Sequence, residues 1–228
     1  MENISFRIKC KPKSICSIAY DIIIAPLNGK STIFQQKDCI FVIDFYFQHC
    51  YTCHKGDDVI LKPQISTERL ILRAFCDHDL DATVSILTND CVKKTYMLPD
   101  FPTPQDAEPL FRKLMSHSQD PQRYVFAIAL DEKVIGFMND VEMKDGKIEV
   151  GYVIHPDHHN KGYATEALKA LIDHLHTEGF HTVVAGYFSE NPASGRVMEK
   201  AGMQKSDYTD EIEYRGQNHR CLYFESIR

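Results

Sequence analysis

Residues 156–163 read Pro-Asp-His-His-Asn-Lys-Gly-Tyr and lead directly into a stretch with helical spacing, which sets a lysine and a glycine at a helix N-terminus. Such a position binds phosphate. Its free backbone N–H groups point outward, the helix dipole is positive there, and glycine lets an anion come close to the backbone. Lys161 adds a positive charge beside Gly162. Two common phosphate motifs do not fit: a dinucleotide fingerprint needs Gly-x-Gly-x-x-Gly, and a Walker-type loop needs its lysine after the glycine rather than before it. Three histidines, His155, His158 and His159, crowd the same loop. Beside a phosphate pocket they read as anion-side donors or surface residues, and no metal is expected. A second constellation, Cys50-Tyr51-Thr52-Cys53-His54, has haem-attachment spacing, which would require export, or could form a zinc site with Cys39 or His49. Unpaired thiols in a small accessory segment are the expected state.

The elements that must hold the loop follow from periodicity. Residues 148–154 are strand-like and follow a tight Asp145-Gly146 hairpin turn. Residues 164–178 carry Ala167, Leu168, Leu171, Ile172 and Leu175 on one stripe and stop at Gly179, as a helix does. Residues 181–187 form the next strand, so this unit implies a right-handed parallel crossover. Upstream lie a strand at 70–73, a helix opening at Asp77 with Leu80, Val84 and Leu87 on one face, and a helix at 104–117. Two antiparallel strands follow at 124–130 and 134–141. Downstream come a helix at 192–200 and a hairpin of 207–214 with 220–225. The order predicts a mixed α/β fold with antiparallel pairs at both ends and one parallel step in the middle. Lys62-Pro63-Gln64 reads as a junction, because proline restricts the residue before it. It separates a β-prone accessory segment, 1–64, from the main domain, 65–228.

The spacing His159-x-x-Gly162-x-Ala164 resembles the Gln/Arg-x-x-Gly-x-Gly/Ala loop of the GCN5-related N-acetyltransferases, with histidine as a departure in the first place. The flanks resemble that family as well: residues 148–156 before the loop and Gly162 to Leu168 after it. Asn191-Pro192-Ala193-Ser194 through Gly202-Met203 is similar to the family's Asn-x-x-Ser helix and its Lys-x-Gly-Phe close. Thr67-Glu68-Arg69-Leu70-x-Leu72-Arg73 resembles the opening of the subfamily that includes ribosomal-protein N-terminal acetyltransferases. Together the matches cover nearly all of 65–228. The resemblance implies a mostly antiparallel mixed sheet, splayed in the middle, with helices on both faces and acetyl-coenzyme A as co-substrate in the gap. It implies phosphate contacts from His159, Asn160, Lys161, Gly162, Tyr163, Ala164 and Thr165. It also implies that Val153, Ile154 and His155 line the pantetheine arm, that Asn191 contacts the cofactor, and that Ser194 lies near the acyl end.

Acetyl transfer to an amine needs the amine neutral, the thioester carbonyl polarised and the departing thiolate stabilised. Glu149 is the candidate general base, directly or through a water; it reads equally well as a solvated strand carboxylate. Met198 stands where the family often has an acid tyrosine, which leaves Ser194, a water or positioning alone to serve the thiolate. Tyr152 is a further hydroxyl, on a strand where aromatics usually pack. The expected reaction moves acetyl from acetyl-coenzyme A to a primary amine, on a small molecule or a protein N-terminus, by direct attack in a ternary complex. The alternative is a non-catalytic acyl-coenzyme-A-binding regulatory module. Residues 97–102 are read as one wall of the acceptor cleft.

Composition sets the outer bounds. The 228 residues are 43% hydrophobic and 25% charged, as in a globular chain. Eight basic and six acidic residues lie up to Gln64, against 18 and 26 beyond it, and an acidic main domain argues against a nucleic-acid partner. No apolar stretch approaches the roughly twenty residues needed to span a bilayer, so no membrane partner and a cytoplasmic location are expected. Eight cysteines without an export signal read as free thiols rather than a disulfide framework. A monomer or homodimer is the expected state.

Overall fold

The computed structural model describes residues 64–228 throughout and, before them, the backbone of four strands within residues 23–54. The chain divides into two compact units, Met1–Val59 and Ile60–Arg228. In the first, β1 (Ile23–Leu27), β2 (Ser31–Gln36), β3 (Cys39–Asp44) and β4 (His49–His54) form an antiparallel meander in that order. The Cys50–His54 pattern falls on β4, and the side chains on which its zinc and haem readings depend lie outside the described residues.

The second unit is built on an eight-stranded sheet. Its strands are β5 (Ile65–Ser66), β6 (Ile71–Arg73), β7 (Phe126–Leu130), β8 (Lys133–Lys144), β9 (Lys147–Ile154), β10 (Thr182–Phe188), β11 (Gln204–Tyr214) and β12 (Gln217–Ile227). They lie in the order β11-β12-β10-β9-β8-β7-β6-β5. Every neighbouring pair is antiparallel except β9 with β10. This is the mixed, mostly antiparallel class that the sequence predicts. The helices are α1 (Leu80–Leu87), α2 (Asp90–Lys93), α3 (Glu108–Gln119), α4 (Tyr163–Thr177) and α5 (Pro192–Lys200). Only α2 has no counterpart in the sequence expectations. It is a single turn, too short to show periodicity, and it forms because the Asn89 carboxamide accepts the Cys91 N–H at 2.9 Å as an N-cap.

Both faces of the sheet are covered, and β7 shows how. Phe126 and Ile128 pack with Leu168, Leu171 and Leu175 of α4, while the alternate residues Val125 and Ala127 pack with Leu87 of α1 and Phe111 of α3. A strand buried on two sides reads as a continuous apolar run, which is what 125–130 is. β9 alternates in the same way: Ile148, Val150 and Ile154 enter the α4 side and Val153 the α1–α3 side. Its pairing with β10 is short. The parallel register runs Lys147 with Thr182, Ile148 with Val183 and Glu149 with Val184, and there it ends. Beyond that point each strand keeps only its other neighbour, and a gap opens between them.

Phe111 is fully buried and meets Phe75 edge-on with ring centroids 6.0 Å apart. Phe111→Ala is expected to destabilise the domain by about 3–5 kcal/mol, read as a fall in the denaturation midpoint at unchanged slope.

Candidate functional site

The gap between β9 and β10 joins two cavities. Gly151 and Gly186, each two residues beyond the last parallel pair, line both of them, together with Thr95, Tyr96 and Tyr187. One cavity, of about 370 Å³, runs from the gap to the start of α4 and the face of α5. The other, of about 450 Å³, lies between β8 and β9, α3, residues 95–99 and the β11–β12 hairpin. Gly151 is the close-approach point, since a Cβ there would stand 3.0 Å from the Tyr96 hydroxyl.

The loop that enters α4 is fixed by its own backbone. Pro156–His158 makes a 3-10 turn, the His159 ring Nε2 lies 2.8 Å from the Ile154 carbonyl, and Asn160 has a left-handed φ of 59°. Gly162 is the N-cap of α4 at φ 83°, a backbone that side chains resist, and no side chain caps the helix. The first N–H groups of α4 are therefore open, and His159, Asn160, Gly162, Tyr163, Ala164 and Thr165 all line the first cavity. Val153, Ile154, Asn191 and Ser194 line it too. Two predicted residues are not brought to that wall. The Lys161 ammonium folds back to donate to the Asp157 carbonyl at 2.9 Å. The His155 ring is engaged elsewhere, with Nε2 3.3 Å from the Ser85 hydroxyl and Nδ1 3.5 Å from the Asp157 carboxylate.

What braces the loop is Arg69, whose part in the site is not legible from the sequence. Its Nη1 donates to the Lys161 carbonyl at 3.0 Å, and its guanidinium lies 4.7 Å from the centre of the Tyr163 ring. Glu166, in the first turn of α4, anchors it. The carboxylate accepts Arg69 Nε at 2.7 Å, the Arg69 backbone N–H at 2.9 Å and the Thr67 hydroxyl at 2.6 Å. Burial works against ionisation of Glu166, but the bonds from Thr67 and Arg69 outweigh it and hold the carboxyl below its usual 4.5. The Thr67-Glu68-Arg69 opening thus reaches across the fold to the phosphate loop.

The candidate catalytic groups stand on two faces of β9. Glu149 lines the second cavity. Burial raises its carboxyl above 4.5, and Glu142, directly opposite on β8, adds to this; Lys147 opposes it. Such a carboxylate is a stronger base than an ordinary one. On the α5 side, the Tyr152 hydroxyl lies 2.7 Å from the Ser194 hydroxyl and 3.0 Å from the Ser194 carbonyl. Burial pushes the Tyr152 phenol well above its usual 10, against a smaller lowering by Ser194. Asn191 caps α5 through its carboxamide oxygen, 3.4 Å from the Ser194 N–H, at the edge of the same cavity. Met198 does not face the site. It is fully buried in the core beneath α5, so its lack of a hydroxyl removes nothing from the cleft wall. Among the described residues, no three His, Cys, Asp or Glu side chains gather as a metal site, and no helix is long and apolar enough to cross a membrane. Cys76, Cys91 and Cys221 are free thiols.

Comparison with known proteins agrees with this geometry. Residues 69–204 match the acetyltransferase (GNAT) domain family. The uncharacterized N-acetyltransferase YoaA of Bacillus subtilis is 28% identical over 158 residues, covering 67% of this chain and 89% of that protein. A GNAT-family acetyltransferase structure from Bacillus anthracis superposes with a TM-score of 0.64 at 26% identity, covering 72% of this chain and 98% of that one. The ribosomal L7/L12 α-N-protein acetyltransferase RimL, solved in complex with coenzyme A, shares the fold at a TM-score of 0.63 and 18% identity, covering 72% and 98%.

Because its folded-state pKa is raised, Glu149 favours folding while protonated, and that contribution is lost as pH rises through the raised value. Glu149→Gln is therefore expected to raise Tm at neutral pH, with the difference closing as pH falls below 4.5. Calorimetry across that range checks it, and a lower Tm for the variant at neutral pH would contradict the assigned environment.

Proposed function

Since the chain belongs to the GNAT acetyltransferase family, and is thereby an acyltransferase, we propose that it moves the acetyl group of acetyl-coenzyme A onto a primary amine by direct attack in a ternary complex. The observation that carries this reading is the pair of cavities meeting where β9 and β10 part. A thioester lying in the gap would present its carbonyl carbon to the second cavity and its sulfur to the first. The pyrophosphate would meet the open N–H groups of α4, and the pantetheine amides would find the unpaired edges of residues 150–154 and 185–188. The acceptor would enter from the α1–α3 side.

In that arrangement the amine nitrogen attacks the acetyl carbon. A C–N bond forms, the C–S bond breaks, and the amine proton passes to Glu149 directly or through a water. The raised Glu149 carboxyl suits it to take that proton near neutral pH. Tyr152 and Ser194 face the leaving sulfur. The pair stabilises the thiolate by hydrogen bonding, and solvent supplies the proton that completes the thiol. The amine belongs to a small molecule or to a protein N-terminus. The cavity volume of about 450 Å³ is in the usual range for a small-molecule site, and its floor of Leu110, Leu114, Val125 and Phe137 favours an acceptor with an apolar body.

The test is thiol release from acetyl-coenzyme A with a panel of aliphatic amines, amino acids and short peptides. At least one amine is expected to accelerate release, and Glu149→Gln to lower kcat by about a hundredfold with the acetyl-coenzyme-A KM unchanged. No acceleration by any amine would sink the reading. Arg69→Ala is expected to loosen the phosphate loop and raise the Kd for coenzyme A about tenfold in calorimetric titration. An unchanged Kd would remove the brace from the account of binding.

A further inference from the structure

Tyr214 ends β11 at the tip of the terminal hairpin, and its hydroxyl is a hub for another part of the chain. It lies 2.7 Å from the Lys93 carbonyl, 3.2 Å from that of Leu98 and 3.3 Å from that of Tyr96, and it accepts the Leu98 N–H at 3.3 Å. A phenol has one proton, so it is shared among the three carbonyls while a lone pair takes the amide. Lys93 is the last residue of α2; the Val92 carbonyl before it accepts the Thr95 and Tyr96 N–H groups, and the Tyr214 hydroxyl serves the Lys93 carbonyl from a distant element. The neighbouring Arg215 repeats the grip. Its guanidinium holds the Asp100 carboxylate at 2.6 Å and lies 5.1 Å from the centre of the Tyr214 ring. Residues 93–100 are thus held at both ends.

This segment is the outer wall of the second cavity, with Thr95, Tyr96, Met97, Leu98 and Pro99 on its lining. Neither Tyr214 nor Arg215 lines either cavity, so both act through the segment. Tyr96 carries the constraint inward. Its phenol hydrogen-bonds the Asn139 carboxamide oxygen of β8, and its ring stands edge-on to Phe137 with centroids 5.7 Å apart. Its hydroxyl meets Gly151, at the junction of the two cavities.

We propose that Tyr214 is a positioning residue for the acceptor: its hydroxyl fixes residues 93–100, and through them Tyr96, so that the fit of the amine depends on it far more than the binding of acetyl-coenzyme A, whose cavity this segment reaches only at Thr95 and Tyr96. The proposal rests on the second cavity taking the amine. It makes acceptor selectivity a property of two segments far apart in the chain, the tip of the last hairpin and the turn after α2, rather than of the wall residues alone.

Tyr214→Phe tests it, because the ring keeps its packing beside Phe188 and only the hydroxyl is lost. The Leu98 amide donates to that hydroxyl, so its hydrogen exchange reports on the clasp without any acceptor. Expected are faster exchange confined to residues 93–100, an acceptor KM raised about tenfold for the best amine of the panel, and an acetyl-coenzyme-A KM within about twofold of the wild type. Arg215→Ala, which breaks the other end, is expected to shift the same two readouts in the same direction. Unchanged Leu98 exchange would overturn the clasp, and equal rises in both KM values would reduce Tyr214 to general stability. A wild-type protein that turns over no amine overturns the acceptor reading, and the proposal with it, whatever the exchange shows.

Discussion

Three parallel residue pairs, Lys147 with Thr182 to Glu149 with Val184, are the whole seam between the two halves of the main sheet. On one side stand five strands and on the other three. Backbone N–H and C=O groups inside a sheet are costly to leave unpaired, yet the seam stops while both strands continue. The rest of the domain is arranged around that stop. The α4 crossover spans it, α5 packs beside it, and the two cavities exist only because the strands diverge. A fourth and fifth pair would join Val150 and Gly151 to Ala185 and Gly186 and close the passage between the cavities.

The second constraint is electrostatic. A carboxylate in the first turn of a helix is favourable against the dipole, and for the same reason it competes with any anion that would bind there. Glu166 occupies that position in α4. Arg69 resolves the conflict by taking both Glu166 oxygens into bonds with itself and Thr67, which leaves the open N–H groups of residues 163–165 unopposed. The same guanidinium fixes the Lys161 carbonyl and covers the Tyr163 ring, so one side chain both neutralises a charge and sets a loop.

Local patterns were legible in the sequence; contacts between distant segments were not. The stripe from Ala167 to Leu175 and the Asp145-Gly146 turn locate α4 and β9 within a residue, because each is a short-range signal, while β8 runs three residues past the expected 141, to Lys144. The phosphate loop follows from glycine beside a helix start. What Lys161 does with its charge did not follow, since a lysine side chain reaches several partners and finds the Asp157 carbonyl. His155 turns to Ser85 for a similar reason, a partner seventy positions away in the chain. Met198 stands in the expected register, but helical register does not say which way a fully buried side chain points. Tyr214 gave no signal, because three of its four backbone partners lie at Tyr96 and Leu98, in a segment without regular structure, and the fourth is Lys93 at the end of the single-turn α2.

The bulge in β8 between Asp140 and Glu142 has a consequence for how the chain can vary. One extra residue there sets which β8 side chain stands opposite Glu149, namely Glu142 rather than Val141. A single residue inserted between Glu149 and Tyr152 would bring the carboxylate and the phenol to one face of β9 instead of opposite faces. Divergent copies of this domain should therefore tolerate substitution along that stretch far more readily than any change in its length, and the residue count between 149 and 152 becomes a heritable ruler for the site.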